Sequence, residues 1–278
     1  MKDKKVLTPV YGFLMGISDS IPGVSGATIA LILGIYETFI SSWSYVFSNL
    51  FNLKILVKSK ELRFLLILYI GVLIGIFASL GFIDFLINNY QNAVFSFFFG
   101  LIIGSIFFVG SDLLKNKFII NSKSRNVIIP LVFTILGFML AFYVSGAKFL
   151  LLENSSLITF LSGFLAISAM IVPGISGAFV LLILNQYSYI VKAVNELNLQ
   201  VLLIFIIGAI VGLGVMSRFL KWVLDKYYLP TMFFMIGLMI GGLRAPLLKI
   251  DSFIPFIIFS VVGIVTIVSI ERLGHKST

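Results

Sequence analysis

Pro22-Gly23-Val24-Ser25-Gly26 interrupts an apolar stretch near the start of the chain, and the string returns almost letter for letter as Pro173-Gly174-Ile175-Ser176-Gly177. Proline lacks an N–H and clashes with the preceding turn, and glycine accepts left-handed backbone, so such a string breaks a helix. On its far side Ala27 to Phe39 reads as one helix, with Ser25 or Gly26 as N-cap and several backbone N–H groups left without helical partners. Free donors with a helix dipole behind them favour an anion. In hydrocarbon, backbone of this kind persists only where protein buries it or water reaches it, and paired broken helices in corresponding halves point to a transporter's binding site. A tight turn packed between two helices explains one copy equally well. Two copies favour a site.

Hydrophobic residues make up 60% of the chain and charged residues 11%, with a mean hydropathy of +1.14, far from the roughly 25% charged of soluble domains. This composition marks an all-α polytopic membrane protein. At 278 residues, and about 20 per crossing, six crossings plus shorter pieces fill it. Lys2, Lys4 and Lys5 precede the first apolar stretch without a cleavage pattern, so that stretch is expected to be retained. With no cysteine, neither disulfides nor thiolate metal sites contribute. The single histidine, His275, lies in the polar C-terminal tail, a poor place for a metal ligand or nucleophile, and no cofactor or metal is expected. A net charge of +9 would suggest nucleic acid in a soluble protein. Here it reflects cytoplasmic loop lysines, and no nucleic-acid partner is expected.

Eight apolar stretches follow one another: 8–47, broken at Pro22; 63–88; 92–113; 127–147; 157–194, broken at Pro173; 200–224; 229–248; and 253–271. They form two sets of four. A shift of 151 superposes Pro22, Gly23, Ser25, Gly26, Ala27 and Leu31 on identical residues of the second half, and Tyr36 on Tyr187. A shift of 137 superposes Gly71 and Gly75 on Gly208 and Gly212, and Gly100 and Gly104 on Gly237 and Gly241. The chain is an internal duplication. Residues 1–126 hold the first broken segment and two membrane helices, 127–156 the third helix and an outer linker, and 157–278 the second repeat.

If each broken segment is a re-entrant hairpin, each half crosses the membrane three times and the second half is inverted. That arrangement puts 16 of the 20 lysines and arginines inside, leaving Lys148, Lys192, Arg244 and Lys249 outside, as the positive-inside rule requires. Both termini are then cytoplasmic. The uncharged run Asn88-Asn89-Tyr90-Gln91-Asn92 reads as a short outer loop, and 114–126 as a basic inner loop. The arm Thr8–Ile21 is about 21 Å long as helix, short of a 30 Å core, which favours half-depth hairpins.

Inversion brings the hairpin tips in from opposite faces, so that Ser25, Gly26, Ala27, Ser176, Gly177 and Ala178 converge on one cavity suited to a phosphate or carboxylate. Asp19 stands three residues before Pro22, and its repeat counterpart is Ala169 or Met170. A membrane-embedded carboxylate in one half alone suggests coupling, such as proton binding; capping the broken helix is the plain alternative. Glu37 lies about 18 Å further along if the helix is straight, and is a second coupling candidate or an interfacial residue. Arg218 and Arg244 are the best cationic partners for an anion, with juxtamembrane anchoring and snorkelling as their alternatives. Asp84, Asp112 and Asp225 fall near helix ends. The four GxxxG pairs suggest close helix contact within each half, a homodimer being their lesser use. Some of the 29 phenylalanines suit a groove for a hydrocarbon tail.

Gly12-Phe13-Leu14-Met15-Gly16-Ile17-Ser18-Asp19-Ser20-Ile21-Pro22-Gly23-Val24-Ser25-Gly26-Ala27-Thr28, with Ile35-Tyr36-Glu37, resembles the opening signature of the bacterial polyprenyl-phosphate transporter family. Ile171-Val172-Pro173-Gly174-Ile175-Ser176-Gly177 and Gly237-Leu238-Met239-Ile240-Gly241-Gly242-Leu243-Arg244 resemble its later motifs, so the likeness covers nearly the whole chain. Ala27 replaces a frequent glycine and Ser18 a frequent alanine; neither change removes a donor or a charge. The resemblance implies a translocase that returns undecaprenyl phosphate from the outer to the inner leaflet of the bacterial plasma membrane for reuse in cell-wall synthesis. A coupling cation, proton or sodium, and membrane lipid are the other partners implied. A carrier of small soluble anions is the rival transporter; a lipid phosphatase lacks the histidine, metal cage or paired acid and base its chemistry uses.

Overall fold

The structure is a computed structural model and describes residues 2–20, 25–79, 81–115, 128–146 and 153–275. Pro22, Gly23, Ser122, Lys117, Lys123, Arg125, Lys148 and Lys276 lie outside the described residues. In chain order the helices are α1 (Lys2–Asp19), α2 (Gly26–Ile32), α3 (Tyr36–Ser48), α4 (Leu53–Lys58), α5 (Lys60–Ser79) and α6 (Phe82–Lys115). The chain continues through α7 (Ile128–Val144), α8 (Ser156–Met170), α9 (Gly177–Ile183), α10 (Tyr187–Asn195), α11 (Leu199–Lys226), α12 (Tyr228–Gly242), α13 (Arg244–Leu247) and α14 (Phe253–His275). No strand occurs among the described residues. Lys60–Ser79, Phe85–Ser111, Leu199–Lys226 and Tyr228–Leu247 are long and apolar enough to cross a membrane, while Ile128–Val144, Ser156–Met170 and Phe253–Ser269 are shorter apolar helices.

Four helix pairs make the body: α1 with α5, α8 with α11, α6 with α14, and α7 with α12. Glycine sets each contact. A Cβ added to Gly12 would lie 2.0 Å from the Leu68 carbonyl oxygen, and one on Gly71 2.1 Å from that of Pro9. The repeat counterparts do the same: Gly163 meets Phe205 O at 2.2 Å and Gly208 meets Phe160 O at 2.1 Å. In the other two pairs, Gly263 meets Phe97 O at 2.2 Å and Gly137 meets Phe234 O at 2.1 Å. Contact positions rise together along both partners, Gly12 on Leu68 and Gly16 on Val72, so the paired helices run parallel.

The expectation that all four GxxxG pairs work inside one half is therefore corrected. Gly71 and Gly75 do pack within the first half, and Gly208 and Gly212 within the second. Gly100 and Gly104, however, press on α14, and Gly237 and Gly241 on α7, across the halves. The physical reason is connectivity. A short link reverses the chain and makes neighbours antiparallel, so a parallel partner has to come from elsewhere in the sequence.

Two further expectations change. Ala27 to Phe39 is not one helix, because Gly34 at φ +65° ends α2 and starts α3 in a new direction. The amides of Gly34 and Ile35 donate to Leu31 O (3.1 Å) and Ala30 O (3.0 Å), and those of Asn185 and Gln186 repeat this on Leu182 O and Leu181 O, both at 2.9 Å. This is a Schellman stop, written with Gly34 once and with Asn185 (φ +56°) the second time; α9 and α10 diverge by 109°. Nor is Asn88–Asn92 a loop. The chain turns earlier, at Gly81 (φ +76°), and the run lies inside α6 at a kink on Tyr90 (φ −136°, ψ 38°). Its counterpart Tyr227 has the same backbone (φ −131°, ψ 48°). The polar side chains are used internally, since Gln91 Nε2 donates to Lys249 O (2.8 Å) and the Asp251 amide donates to Asn92 Oδ1 (2.7 Å).

Replacing Gly237 with leucine forces the α7 and α12 backbones apart, an overpacking cost of about 1–3 kcal/mol or more. Purified Gly237→Leu should melt several degrees below the parent in a thermal-shift measurement. Gly110→Ala is the control, because its new methyl group meets only Ile236 Cδ1 at 4.0 Å; its Tm should not fall.

Candidate functional site

The two elbows have matching starts: Ser25 (φ −123°, ψ 130°) and Ser176 (φ −98°, ψ 128°) are both extended N-cap residues without a side-chain cap bond. They also meet. Ser25 Oγ donates to Met170 O at 3.3 Å, the Gly174 amide donates to Thr28 Oγ1 at 2.9 Å, and Tyr36 Oη donates to Ile171 O at 3.0 Å. Met170 and Ile171 end α8, where carbonyls have run out of helical partners. Hydroxyls and an amide across the half-boundary supply what each helix end lacks. Tyr36 is fully buried in doing so.

At the first elbow the expected free donors are partly taken. The Gly26 amide donates to Asp19 Oδ1 at 2.7 Å, and a Cβ on Gly26 would come within 2.5 Å of Asp19 Oδ2. Asp19 therefore caps the broken helix with its own carboxyl group, and the first amide of the first elbow is already taken. Ala27 is buried beside it. Ser20 and Ser79 hydroxyls, 2.8 Å apart, tie the end of α1 to the end of α5.

The second elbow is built differently. At the positions matching Asp19 stand Ala169 and Met170, so no carboxylate reaches Gly177, which is instead roofed by Ala166 O. Pro173 is buried, and Gly174 adopts φ +86° with Leu238 backbone 2.7 Å from where its Cβ would be. Only glycine fits there. Beside this turn lies a cavity of about 20 Å³ lined by Ala141, Val144, Ser145, Gly174, Ile175, Ser176, Phe179, Gly242 and Ala245, the space of a water molecule. Arg244 sits next to the wall: Nη1 donates to Phe142 O at 2.8 Å, Cζ lies 4.3 Å from the Phe142 ring centroid, and the guanidinium covers Gly146. A cation at the C-terminal end of α7 is favoured by that helix's dipole. Ala178 is exposed and does not line the cavity.

The remaining sites separate from the elbows. Arg218 donates to Phe47 O at the far end of α3, about 17 Å of helix away from Tyr36. Glu37 is exposed in the first turn of α3, and the straight-helix distance of 18 Å fails because the chain turns at Gly34. Asp84 and Asp112 fall in the first and last turns of α6, and Asp225 pairs with Lys221 at 2.8 Å near the end of α11. Sequence reasoning passed over Thr28, Tyr36 and Ser145. Thr28 left a trace, being a hydroxyl where the second half has Phe179.

Thr28→Val removes the acceptor of the Gly174 amide and leaves it unsatisfied, a cost of about 1–3 kcal/mol. Its Tm should drop by several degrees, while Thr28→Ser, which keeps the oxygen, should melt close to the parent.

Three comparisons bear on identity. A family model described as VCA0040-like, undecaprenyl phosphate translocase-like, matches residues 15–252. The chain is 35% identical over 245 residues to a protein of Vibrio cholerae serotype O1 named polyprenyl-phosphate transporter, covering 85% of this chain and 75% of the relative. It is 30% identical to a Staphylococcus aureus protein of the same name, with both chains covered in full. No solved structure matches. With the doubled elbow signature, these matches show that the chain belongs to the undecaprenyl phosphate translocase-like family.

Proposed function

We propose that this multi-pass membrane protein transports polyprenyl phosphate, specifically undecaprenyl phosphate, from the outer to the inner leaflet of the bacterial plasma membrane, returning the carrier lipid to cell-wall polymer synthesis. The carrying observation is the direct contact of two serine-bearing elbows, one from each half, beside a cavity edged by Ser145, Ser176 and the Arg244 segment. The printed names of both relatives, transporters and not enzymes, support the substrate class.

The helix directions support an inverted duplication. Suppose α5, α6, α7, α11, α12 and α14 cross alternately, with each elbow segment returning to the face it came from. Then α6 and α14 cross in one sense and α7 and α12 in the other, which agrees with the parallel packing of both pairs. Parallel α1 and α5 agree with a first segment that returns before α5 begins. Both termini are cytoplasmic in this reading, and the charge distribution supports it. The cavity beside Ser176 is water-sized, so the phosphate enters when the halves rock apart while its polyprenyl tail stays in lipid. Ser176 and Arg244 then bind the phosphate oxygens, with the guanidinium leaving Phe142 O for the stronger anionic acceptor.

Inward movement of an anion opposes a negative-inside potential by about 2.3 kcal/mol per charge per 100 mV. A cation, proton or sodium, therefore travels with it. Asp19, whose carboxylate closes the first elbow on Gly26, is the coupling group: charge neutralisation weakens that cap and frees the elbow to move. Glu37 is the secondary coupling residue.

Purified protein in liposomes should accelerate movement of labelled undecaprenyl phosphate between leaflets. Exchange of inorganic phosphate without lipid movement would overturn the lipid reading in favour of a small-anion carrier. Arg244→Gln should slow lipid movement about tenfold, the loss of one charge-assisted contact. Asp19→Asn should flatten the pH dependence of transport; unchanged rate and unchanged pH profile would remove Asp19 from coupling. Because the chain has no cysteine, Asn89→Cys should react with an impermeant maleimide added outside cells.

A further inference from the structure

We infer that the contact between α3 and α11 is a gate at the inner membrane face, and that the phosphate of the carried lipid opens it by drawing the Arg218 guanidinium away from Phe47 O. This rests on the transport reading above and gives it a release step.

α3 belongs to the first half, yet it bridges the halves, lying against α5 on one side and α11 on the other. Its far end makes the closure. Arg218 donates to Phe47 O, and the Phe47 ring lies over Gly214, with Cδ1 2.7 Å from where a Cβ would stand. Trp43, one turn back on α3, tilts on Phe47 with ring centroids 5.8 Å apart and stands edge-on to Tyr69 of α5 at 5.6 Å. One α11 turn, from Gly214 to Arg218, thus receives a ring and a carbonyl from the end of α3.

The repeat does not provide this contact twice. The shifts of 151 and 137 put Val194 at the place of Trp43, Asn198 at that of Phe47, Phe77 at that of Gly214 and Gly81 at that of Arg218. α3 runs to Ser48, which matches position 199, whereas α10 stops at Asn195. α10 rests on α9 and α11 and makes no comparable contact with α5, and Val194 and Phe77 are exposed. One seam between the halves is clasped and its equivalent is not. In the inverted reading the two seams lie at opposite membrane faces, the clasped one inside, where α3 and α11 end. A carrier whose outer seam has no clasp is controlled at the inner one.

The clasp is built to yield to an anion. Arg218 is exposed, and Phe47 O is a neutral acceptor. A phosphate takes two parallel N–H bonds from a guanidinium and binds it more strongly than a carbonyl does. A ligand that engages only the released guanidinium shifts the population toward the open form. Trp43 Nε1, buried without a hydrogen-bond acceptor among the described residues, gains one from water once the contact parts, which favours opening further.

The chain has two tryptophans, Trp43 and Trp222, so Trp222→Phe leaves Trp43 as the reporter inside the gate. In full-length protein in liposomes, adding undecaprenyl phosphate should raise acrylamide quenching of Trp43, while undecaprenol and inorganic phosphate should not. Arg218→Gln in the same background should lose the response. No response to the lipid overturns the gate, a response to inorganic phosphate alone overturns the lipid as its key, and a response that survives Arg218→Gln overturns the arginine's part. A cross-link tests the motion separately. Phe47 Cγ lies 3.2 Å from where a Gly214 Cβ would stand and is one bond from its own Cβ, so Phe47→Cys with Gly214→Cys brings the two Cβ atoms near the roughly 4 Å of a disulfide. Oxidation should abolish movement of labelled undecaprenyl phosphate, and dithiothreitol should restore the rate of the reduced pair; undiminished movement in the oxidised pair shows a static contact and overturns the gate. Failure of the parent protein to move the lipid would instead overturn the transport reading, on which the quenching response does not depend.

Discussion

A carbonyl oxygen held about 2 Å from the space a methyl group would fill recurs along every principal helix pair of this protein. Between helices in lipid there is little hydrophobic gain on association, so closeness of backbones and dispersion contacts have to hold them. Glycine supplies that closeness, and the rest of the structure follows. The α8–α11 contact sets where α8 ends, the α7–α12 contact sets where Gly242 stands, and Gly174 O packs against Gly242 between them. The second elbow is placed by glycines on four helices, α7, α8, α11 and α12.

With the elbows placed, their helix ends need partners. Unsatisfied backbone groups cost several kcal/mol in hydrocarbon, and α8 ends in carbonyls that Ser25 and Tyr36 of the other half satisfy, while Thr28 accepts the Gly174 amide. The halves are chemically unequal at this junction. The first contributes every side-chain partner and closes on itself through Asp19; the second contributes backbone and an open turn with a cavity. A duplication that began symmetric has become a donor of side chains facing a receiver.

Much of this was legible in the chain. The doubled proline-glycine-serine string located both elbows, the shift of 137 located four glycine pairs that press on other helices, though not the partners of two of them, and composition gave an all-helical membrane protein. What escaped detection depended on partners far away in sequence or on one residue's backbone. Gly34 reads as an ordinary glycine in an apolar run until its φ is known, and Asn185 carries no signal unless it is aligned with Gly34. Asn88–Asn92 looks like a loop because its polar side chains find Lys249 and Asp251 only in the folded chain. Arg218 and Arg244 were legible as cations, but their bonds to Phe47 O and Phe142 O, at the ends of α3 and α7, belong to tertiary structure.

The crossing of α6 with α14 has a consequence for how the chain is made. Ser260 Oγ donates to Ser96 O across 164 residues of sequence, and Gly100 and Gly104 on the same face of α6 press on α14. Synthesis at about 5–20 residues per second leaves that face uncovered for roughly ten to thirty seconds after it enters the bilayer. During this interval α6 stands in lipid with a groove of bare backbone open to any neighbour, and α14 is the helix that closes it.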